Sequence, residues 1–210
     1  MSLIIPANTL ASGGFVVDNS CRFNDAKLVK TTSSAGTNTK GTFSAWVKRS
    51  ALGSHKNLIL FSTGTPYHNI YFRDTNEIRI YANTIGGTTE LYTNRLFRDV
   101  SAWYHIVVAY DSTQGTASNR IKLYINGVQE TSFATANYPA QNANMNMNLN
   151  SETVSLAVLN TSDWYYSGYM AEVVWIDGTQ YAASDFGEFD SASGIWKPID
   201  VSGLTFGTNG

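Results

Sequence analysis

Short runs of alternating apolar and polar residues recur along this chain. In residues 121–125, Ile121, Leu123 and Ile125 alternate with Lys122 and Tyr124, which is typical of a strand with one buried and one solvated face. Other alternating, β-branched or aromatic runs occupy residues 43–48, 57–62, 70–73, 78–81, 90–92, 103–111, 154–159 and 169–176. Turn sequences separate these runs, and no long amphipathic helix interrupts them. The pattern predicts an all-β fold, a two-sheet antiparallel jelly-roll sandwich.

Local turn chemistry predicts the connections. Asn126-Gly127 supplies the positive φ angles of a two-residue hairpin turn, and residues 74–76 link two further strands. One helical turn is expected at residues 183–186, with Ser184 as its cap. In the Asn-rich segment 134–151, the alternation of residues 144–150 favours a short strand, with a long loop as the alternative.

The chain divides into an arm (residues 1–13), a jelly-roll domain (residues 14–197) and a C-terminal tail (residues 198–210). Leu3, Ile4 and Ile5 are apolar and precede a Ser-Gly-Gly joint at residues 12–14. We expect them to bury against another subunit and so to serve assembly. Docking on the same domain is the alternative, because an apolar terminal segment can also form an edge strand.

Composition narrows the classes of function. Charged residues make up only 14% of the chain and aromatic residues 13%, so the polar surface is largely uncharged and suits neutral ligands such as sugars. A net charge of −2 without a basic cluster predicts no nucleic-acid partner, and the lack of a long apolar run predicts no membrane partner. The start lacks the features of a secretory signal, and the single Cys21 cannot form an internal disulfide. This combination favours a protein released by cell lysis, such as a phage structural protein.

Several motifs resemble those of known proteins. Residues 43–48 (FSAWVK), 59–62 (ILFS), 103–128 and 167–173 (SGYMAEV) resemble the strands of laminin G-like domains of the concanavalin A-like lectin/glucanase superfamily, in the same order. Residues 18–24 (DNSCRFN), 97–105 (FRDVSAWYH), 184–190 (SDFGEFD) and 194–198 (GIWKP) are similar to concanavalin A-like proteins of marine tailed phages. Residues 206–210 (FGTNG) match a turn that leads into another strand in those proteins. The resemblance implies a virion appendage protein, such as a tail fibre, on the particle surface.

Sugar binding requires exposed aromatic rings beside amides or carboxylates. Two loops meet this requirement, and the alternative is that their aromatic residues cap the core. The candidate carbohydrate-binding residues are Asn160, Asp163, Trp164, Tyr165, Tyr166, Tyr67, His68 and Asn69.

Catalytic and metal sites are not expected. Retaining glycoside hydrolases need two carboxyl groups about 5–5.5 Å apart, whereas Glu172 and Asp177 face opposite sides of a regular strand. Glu188 and Asp190 share a parity but lie in a loop. His105, inside an apolar strand, is expected to be structural, and His55 and His68 to be solvated loop residues.

Many laminin G-like domains bind Ca²⁺ through loop carboxylates. Asp74, Asp111 and Asp163 are available here, but none belongs to a dense acidic loop, so we predict no metal and no cofactor.

Together these features predict a non-enzymatic virion component that displays a lectin-like jelly roll. Its role would be host-surface attachment or particle decoration, and its partners other virion proteins, copies of itself or a host-surface glycan. A stand-alone carbohydrate-binding module and a glycoside hydrolase are the alternatives.

Overall fold

The computed structural model describes residues 15–62, 67–84, 87–159 and 164–210. Within these ranges the chain forms short strands and two single-turn 3₁₀ helices, Ala117–Asn119 and Ala183–Asp185. The strands are β1 (Cys21–Phe23), β2 (Leu28–Thr31), β3 (Lys40–Arg49), β4 (Lys56–Ser62), β5 (Tyr67–Phe72), β6 (Ile78–Thr84), β7 (Gly87–Thr93), β8 (Tyr104–Asp111), β9 (Ile121–Ile125), β10 (Val128–Glu130), β11 (Phe133–Asn137), β12 (Thr153–Leu156), β13 (Gly168–Asp177), β14 (Gly187–Phe189) and β15 (Trp196–Pro198).

Two antiparallel sheets form a sandwich. One sheet has the order β1-β13-β3-β8-β9-β10 and the other β11-β7-β6-β5-β4-β12-β2, while β14 and β15 form a small hairpin. The core lies between the sheets and contains Phe43, Phe61, Ile80 and Ile106, each at most 1% exposed. The fold class is therefore confirmed as all-β, with two antiparallel sheets in a jelly-roll sandwich.

The β9–β10 hairpin has the predicted turn. Asn126 and Gly127 have φ angles of 49° and 81°, and Val128 pairs with Ile125 across the turn. A Cβ on Gly127 would lie 2.4 Å from the ring of Trp196, so this glycine is required by packing as well as by backbone conformation.

The C-terminal segment covers the outer face of the six-stranded sheet. A second apolar cluster forms there around Val107, Ile176 and Phe186, with Trp196 and Phe206 packed against it. The single helical turn expected at residues 183–186 is present. Its N-cap residue is Ala182 rather than Ser184, and the N–H of Ala182 donates to the carboxylate of Asp185 at 2.8 Å.

The predicted C-terminal tail packs on the same domain. The carbonyl of Phe206 accepts a hydrogen bond from the N–H of Asp177 at 2.8 Å, and Asn209 is 9% exposed. The tail is thus anchored to the end of β13 through Asp177.

The Asn-rich segment corrects a sequence-based prediction. Its first residues belong to β11, but residues 144–150 form no strand. Met145 and Met147 are fully buried, while Asn146 and Asn148 take left-handed φ angles of 49° and 59°. The alternation of Asn with Met and Leu therefore belongs to an irregular buried segment and not to a strand. Asparagine permits this because it tolerates the left-handed φ region, which a strand excludes.

Candidate functional site

The outer face of the seven-stranded sheet carries a cluster of aromatic and charged side chains. On β6, Ile78, Ile80 and Ala82 are in the core, so the alternating Arg79 and Tyr81 point to the opposite side. Register places Glu90 of β7 opposite Tyr81, and Tyr71 of β5 opposite Arg79. We call the set of Tyr67, Tyr71, Arg79, Tyr81 and Glu90 the tyrosine face.

Arg79 organises the tyrosine face. Its guanidinium lies 4.6 Å from the ring centre of Tyr81 and 5.6 Å from that of Tyr71, and it pairs with the Glu90 carboxylate at 2.5 Å. It also donates a hydrogen bond to the hydroxyl of Tyr71. Burial lowers the pKa of Arg79, but Tyr71 and Glu90 outweigh that effect and raise it. The side chain is therefore a fixed cation, held by one carboxylate and two rings.

Tyr67 and Tyr81 form an aromatic pair on this face. Their ring centres lie 5.4 Å apart with 35° between the planes, and both side chains remain partly exposed. Burial and the neighbouring Tyr81 raise the pKa of Tyr67, so its hydroxyl stays protonated and able to donate a hydrogen bond at neutral pH. Two partly exposed rings beside a fixed ion pair offer both stacking surface and hydrogen-bonding groups.

Trp164 borders the tyrosine face. Its ring centre lies 5.0 Å from that of Tyr71 and 4.3 Å from that of His55. Its carbonyl accepts a hydrogen bond from the N–H of Asn57 at 3.0 Å, which ties the loop to β4. Of the predicted binding residues, Tyr67 and Trp164 thus lie on one face of one sheet, and Tyr165 is half-buried.

Three predicted binding residues are instead in the interior. Tyr166 and His68 are 0% exposed and Asn69 is 1% exposed, so none of them presents a surface to an external ligand. His68 hydrogen-bonds the hydroxyl of Tyr110 at 2.7 Å, and burial lowers its pKa to about 3. The prediction of a solvated His68 and of a platform that includes Tyr166 is therefore wrong. Asn160 and Asp163, together with the assembly residues Leu3, Ile4 and Ile5, lie outside the described residues.

Of the carboxylates Glu172 and Asp177 considered for catalysis, Asp177 has structural partners. Asp177 is 6% exposed and accepts hydrogen bonds from the N–H groups of Thr37 and Asn209 and the amide of Asn148, at 2.8, 3.2 and 3.0 Å. Glu172 lies at a bulge in β13 with a φ of 47°. Asp177 is therefore a buried structural carboxylate that joins three parts of the chain.

The other acidic pair is also engaged. Glu188 and Asp190 both pair with the ammonium of Lys197, at 3.3 and 3.2 Å. Asp190 additionally accepts hydrogen bonds from the N–H groups of Ala192 and Ser193, and these N–H groups help to lower its pKa. The pair therefore stabilises the β14–β15 hairpin and its turn.

Metal ligands do not cluster in the part of the chain that the structure describes, where no group of three His, Cys, Asp or Glu side chains is close enough to hold an ion. Asp111 illustrates the reason, because its oxygens accept from Thr113 and Gln114 and it pairs with Lys40 at 3.4 Å. Among the same residues, no helix is long and apolar enough to cross a membrane.

Sequence comparison identifies the family. The Laminin_G_3 family, described as the concanavalin A-like lectin/glucanases superfamily, matches residues 23–183. The chain belongs to this superfamily. No curated protein sequence matches this superfamily member significantly.

Solved structures share the fold of this superfamily member at low sequence identity. The heptameric SAP-like pentraxin of Limulus polyphemus superposes with a TM-score of 0.59 and 11% identity, over 91% of this chain and 92% of the pentraxin. The CBM40 domain of the Ruminococcus gnavus IT-sialidase gives 0.51 and 10%, over 80% and 95%. Tailspike protein 2 of Escherichia coli O157:H7 bacteriophage CAB120 gives 0.54 and 16%, over 79% of this chain but 23% of the tailspike chain. At these identities the likeness establishes the fold alone.

Proposed function

We propose that this domain binds carbohydrate through the tyrosine face, and that it does so without catalysis. The observation that supports this most is the Tyr67–Tyr81 pair, partly exposed and adjoining the Arg79–Glu90 ion pair. The C–H face of a sugar ring stacks on aromatic rings, while guanidinium and carboxylate groups bond its hydroxyls in a fixed geometry. The family also contains lectins, which agrees with this choice.

A single site of this kind is weak. Each stacked ring contributes about 0.5–1.5 kcal/mol beyond the area it buries, and the Tyr67 and Tyr81 side chains are only partly exposed. Useful avidity requires several copies that engage one surface together. The proposal therefore includes display of several domains on one particle.

We propose more specifically that this chain is a phage virion component. It would lie on the particle surface and either attach to host-surface glycan or decorate the particle. The support for this proposal is the set of phage-like motifs at residues 18–24, 97–105, 184–190 and 194–198, together with the shared fold of a domain-sized part of a phage tailspike. Other virion proteins or copies of this chain would be the partners.

Substitution of the tyrosine face tests the proposal. The full chain is screened on an array of bacterial surface polysaccharides, and the best ligand is then titrated by calorimetry. We expect Tyr81→Ala to weaken binding by about 3- to 10-fold, which corresponds to the loss of one stacked ring. Tyr67→Ala should act in the same direction.

Phe189→Ala is the matched control, because Phe189 is an aromatic side chain, 53% exposed, on the small β14–β15 hairpin. It should leave affinity unchanged. Binding that is unchanged in both Tyr81→Ala and Tyr67→Ala, or that falls equally in the Phe189→Ala control, would contradict the assignment of the face. Release of oligosaccharide products by the purified chain would contradict the non-enzymatic assignment.

A further inference from the structure

A separate pocket lies on the outer face of the six-stranded sheet, at the margin of the C-terminal segment. It has a volume of about 330 Å³, at the lower end of the range of small-molecule sites, about 300–1,000 Å³. The residues that line it include Asp18, Trp46, Trp103, Ala171 and Pro198. We call it the tryptophan pocket, and it is on the opposite sheet from the tyrosine face.

The pocket exists because an alanine lies beside a tryptophan. Register places Ala171 of β13, Trp46 of β3 and His105 of β8 in one row across the sheet. Ala45 and Val47 are in the core, so Trp46 between them points outward, together with its row partners. The rings of Trp46 and His105 stack 4.8 Å apart with 18° between their planes, which is close to the spacing of adjacent strands. The second face of the indole is therefore directed towards Ala171, whose short side chain leaves space for a ligand.

The second tryptophan forms another wall of the pocket. Trp103 directly precedes β8 and is half-buried, and its ring centre lies 6.5 Å from that of Tyr169. Tyr169 is two residues from Ala171 on β13, so both side chains point to the outer face. Contact with the sheet therefore holds Trp103 at this face, and two indoles from separate parts of the chain border the same space.

The electrostatic character of the pocket is negative. Among the described residues that line it, Asp18 alone carries a charge, and this residue is exposed. His105, behind the indole of Trp46, is neutral because burial lowers its pKa to about 3. The faces of aromatic rings carry the negative part of the ring quadrupole. Indole walls beside one carboxylate therefore favour a cationic ligand over a neutral or an anionic one.

We propose that the tryptophan pocket binds a small organic cation that carries a methylated ammonium group. The methyl groups of such a cation contact the indoles of Trp46 and Trp103, and its charge is attracted by both rings and by Asp18. A bare ammonium group is strongly hydrated and loses more on leaving water, so the methylated form suits walls that are mostly apolar. The proposal does not depend on carbohydrate binding, because the two sites are on different sheets.

NMR titration of the full chain with a matched pair of probes tests the proposal. The probes are choline and its uncharged carbon analogue, in which a tert-butyl group replaces the trimethylammonium group and the shape is nearly unchanged. We expect choline to bind in the millimolar range and about 5-fold more tightly than the analogue, because only the cation gains from the indole faces and the carboxylate. Choline that does not bind, or that binds no more tightly than the analogue, would overturn the proposal.

Matched variants locate the bound cation. Ala171→Leu should abolish choline binding, because the longer side chain fills the space beside the indole of Trp46. Asp18→Asn should weaken choline binding about 2- to 5-fold and leave the affinity for the analogue unchanged. Asp25→Asn is the control, since Asp25 is an exposed carboxylate between β1 and β2 that does not line the pocket. Unchanged binding in Ala171→Leu, or an equal loss in Asp18→Asn and Asp25→Asn, would overturn the proposal. A circular dichroism spectrum of each variant verifies that the β fold is retained.

Discussion

At the scale of single residues, His105 shows how the interior holds a neutral imidazole. Its ring stacks on Trp46, with centres 4.8 Å apart. The indole N–H of Trp196 donates to its Nδ1 at 2.9 Å, so the ring proton is on Nε2, which donates to the hydroxyl of Ser44 at 2.9 Å. Burial lowers the pKa of His105 to about 3. His105 is thus buried and bonded on both ring nitrogens, as expected of a structural histidine.

Burial raises the pKa of Glu152, whereas it lowers that of His105, and this makes stability depend on pH. Glu152 is 1% exposed, and burial raises its pKa to about 7 although the N–H groups of Leu149 and Asn148 lower it. The folded state therefore holds a proton that the unfolded chain releases near pH 4.3. Its contribution to stability is complete below that pH and is lost as pH rises through about 7. We expect Glu152→Gln to gain stability relative to the natural chain above pH 7, by about 3 kcal/mol at most.

Denaturant unfolding from pH 5 to 8 measures this difference. The two proteins should have their smallest difference in unfolding free energy near pH 5, and the gap should widen towards pH 8. Asp190→Asn is a control, because this carboxylate is on the surface and its pKa is lowered rather than raised. A pH-independent gap between Glu152→Gln and the natural chain would show that Glu152 is ionised in the folded state.

At the scale of elements, the Asn-rich segment acts as an irregular plug of the core. Asn148 is 1% exposed and joins three parts of the chain. Its amide donates to the carbonyl of Thr37 at 2.8 Å and to Asp177 at 3.0 Å, and its carbonyl accepts from the indole of Trp175 at 2.9 Å. Each buried group left without a partner costs about 1–3 kcal/mol.

Asn148→Ala should therefore destabilise the protein by about 2–4 kcal/mol, since it removes these bonds and places alanine at a φ of 59°. Thermal unfolding gives the measurement. Glycine adopts this φ angle without strain, so the Asn148→Gly variant isolates the loss of the side-chain amide. It should be slightly more stable than the Asn148→Ala variant. Asn150→Ala, at an exposed position of the same segment, should change stability by about 0.5 kcal/mol or less. A loss at Asn150 equal to that at Asn148 would mean that the hydrogen bonds contribute little.

At the scale of the whole molecule, the sandwich has two unlike outer faces. The six-stranded sheet is covered by the C-terminal segment, whose Phe186 is 2% exposed against Val107 and Ile176. The seven-stranded sheet carries the partly exposed tyrosine face. The protein thus has a second, smaller core on one side and a polar aromatic surface on the other.

Phe186→Ala should reduce the free energy of unfolding by about 3–5 kcal/mol, the usual cost of a cavity in place of a buried phenylalanine. Phe189→Ala, three residues away and 53% exposed, should cost about 1 kcal/mol or less. Chemical denaturation monitored by tryptophan fluorescence compares them. Equal losses would show that the C-terminal cover does not contribute to global stability, and the second cluster would then be peripheral.

The sequence by itself determined most of the longer strands of both sheets (β3 to β9 and β13), the β9–β10 turn and the fold class. Alternation in residues 121–125 and the Asn126-Gly127 pair are local signals, because side-chain direction and turn φ angles depend on neighbouring residues. The burial of His105 also followed from its apolar neighbours in β8.

Only the tertiary structure decided which faces meet. Alternation assigns Arg79 and Tyr81 to one side of β6, but their contact with Tyr67 and Glu90 depends on register between β5, β6 and β7. The same limit explains the error at His68, because a polar residue on a strand face is solvated or buried according to what packs on it. Register and inter-sheet packing are set by residues far apart in the chain, so no local pattern contains them.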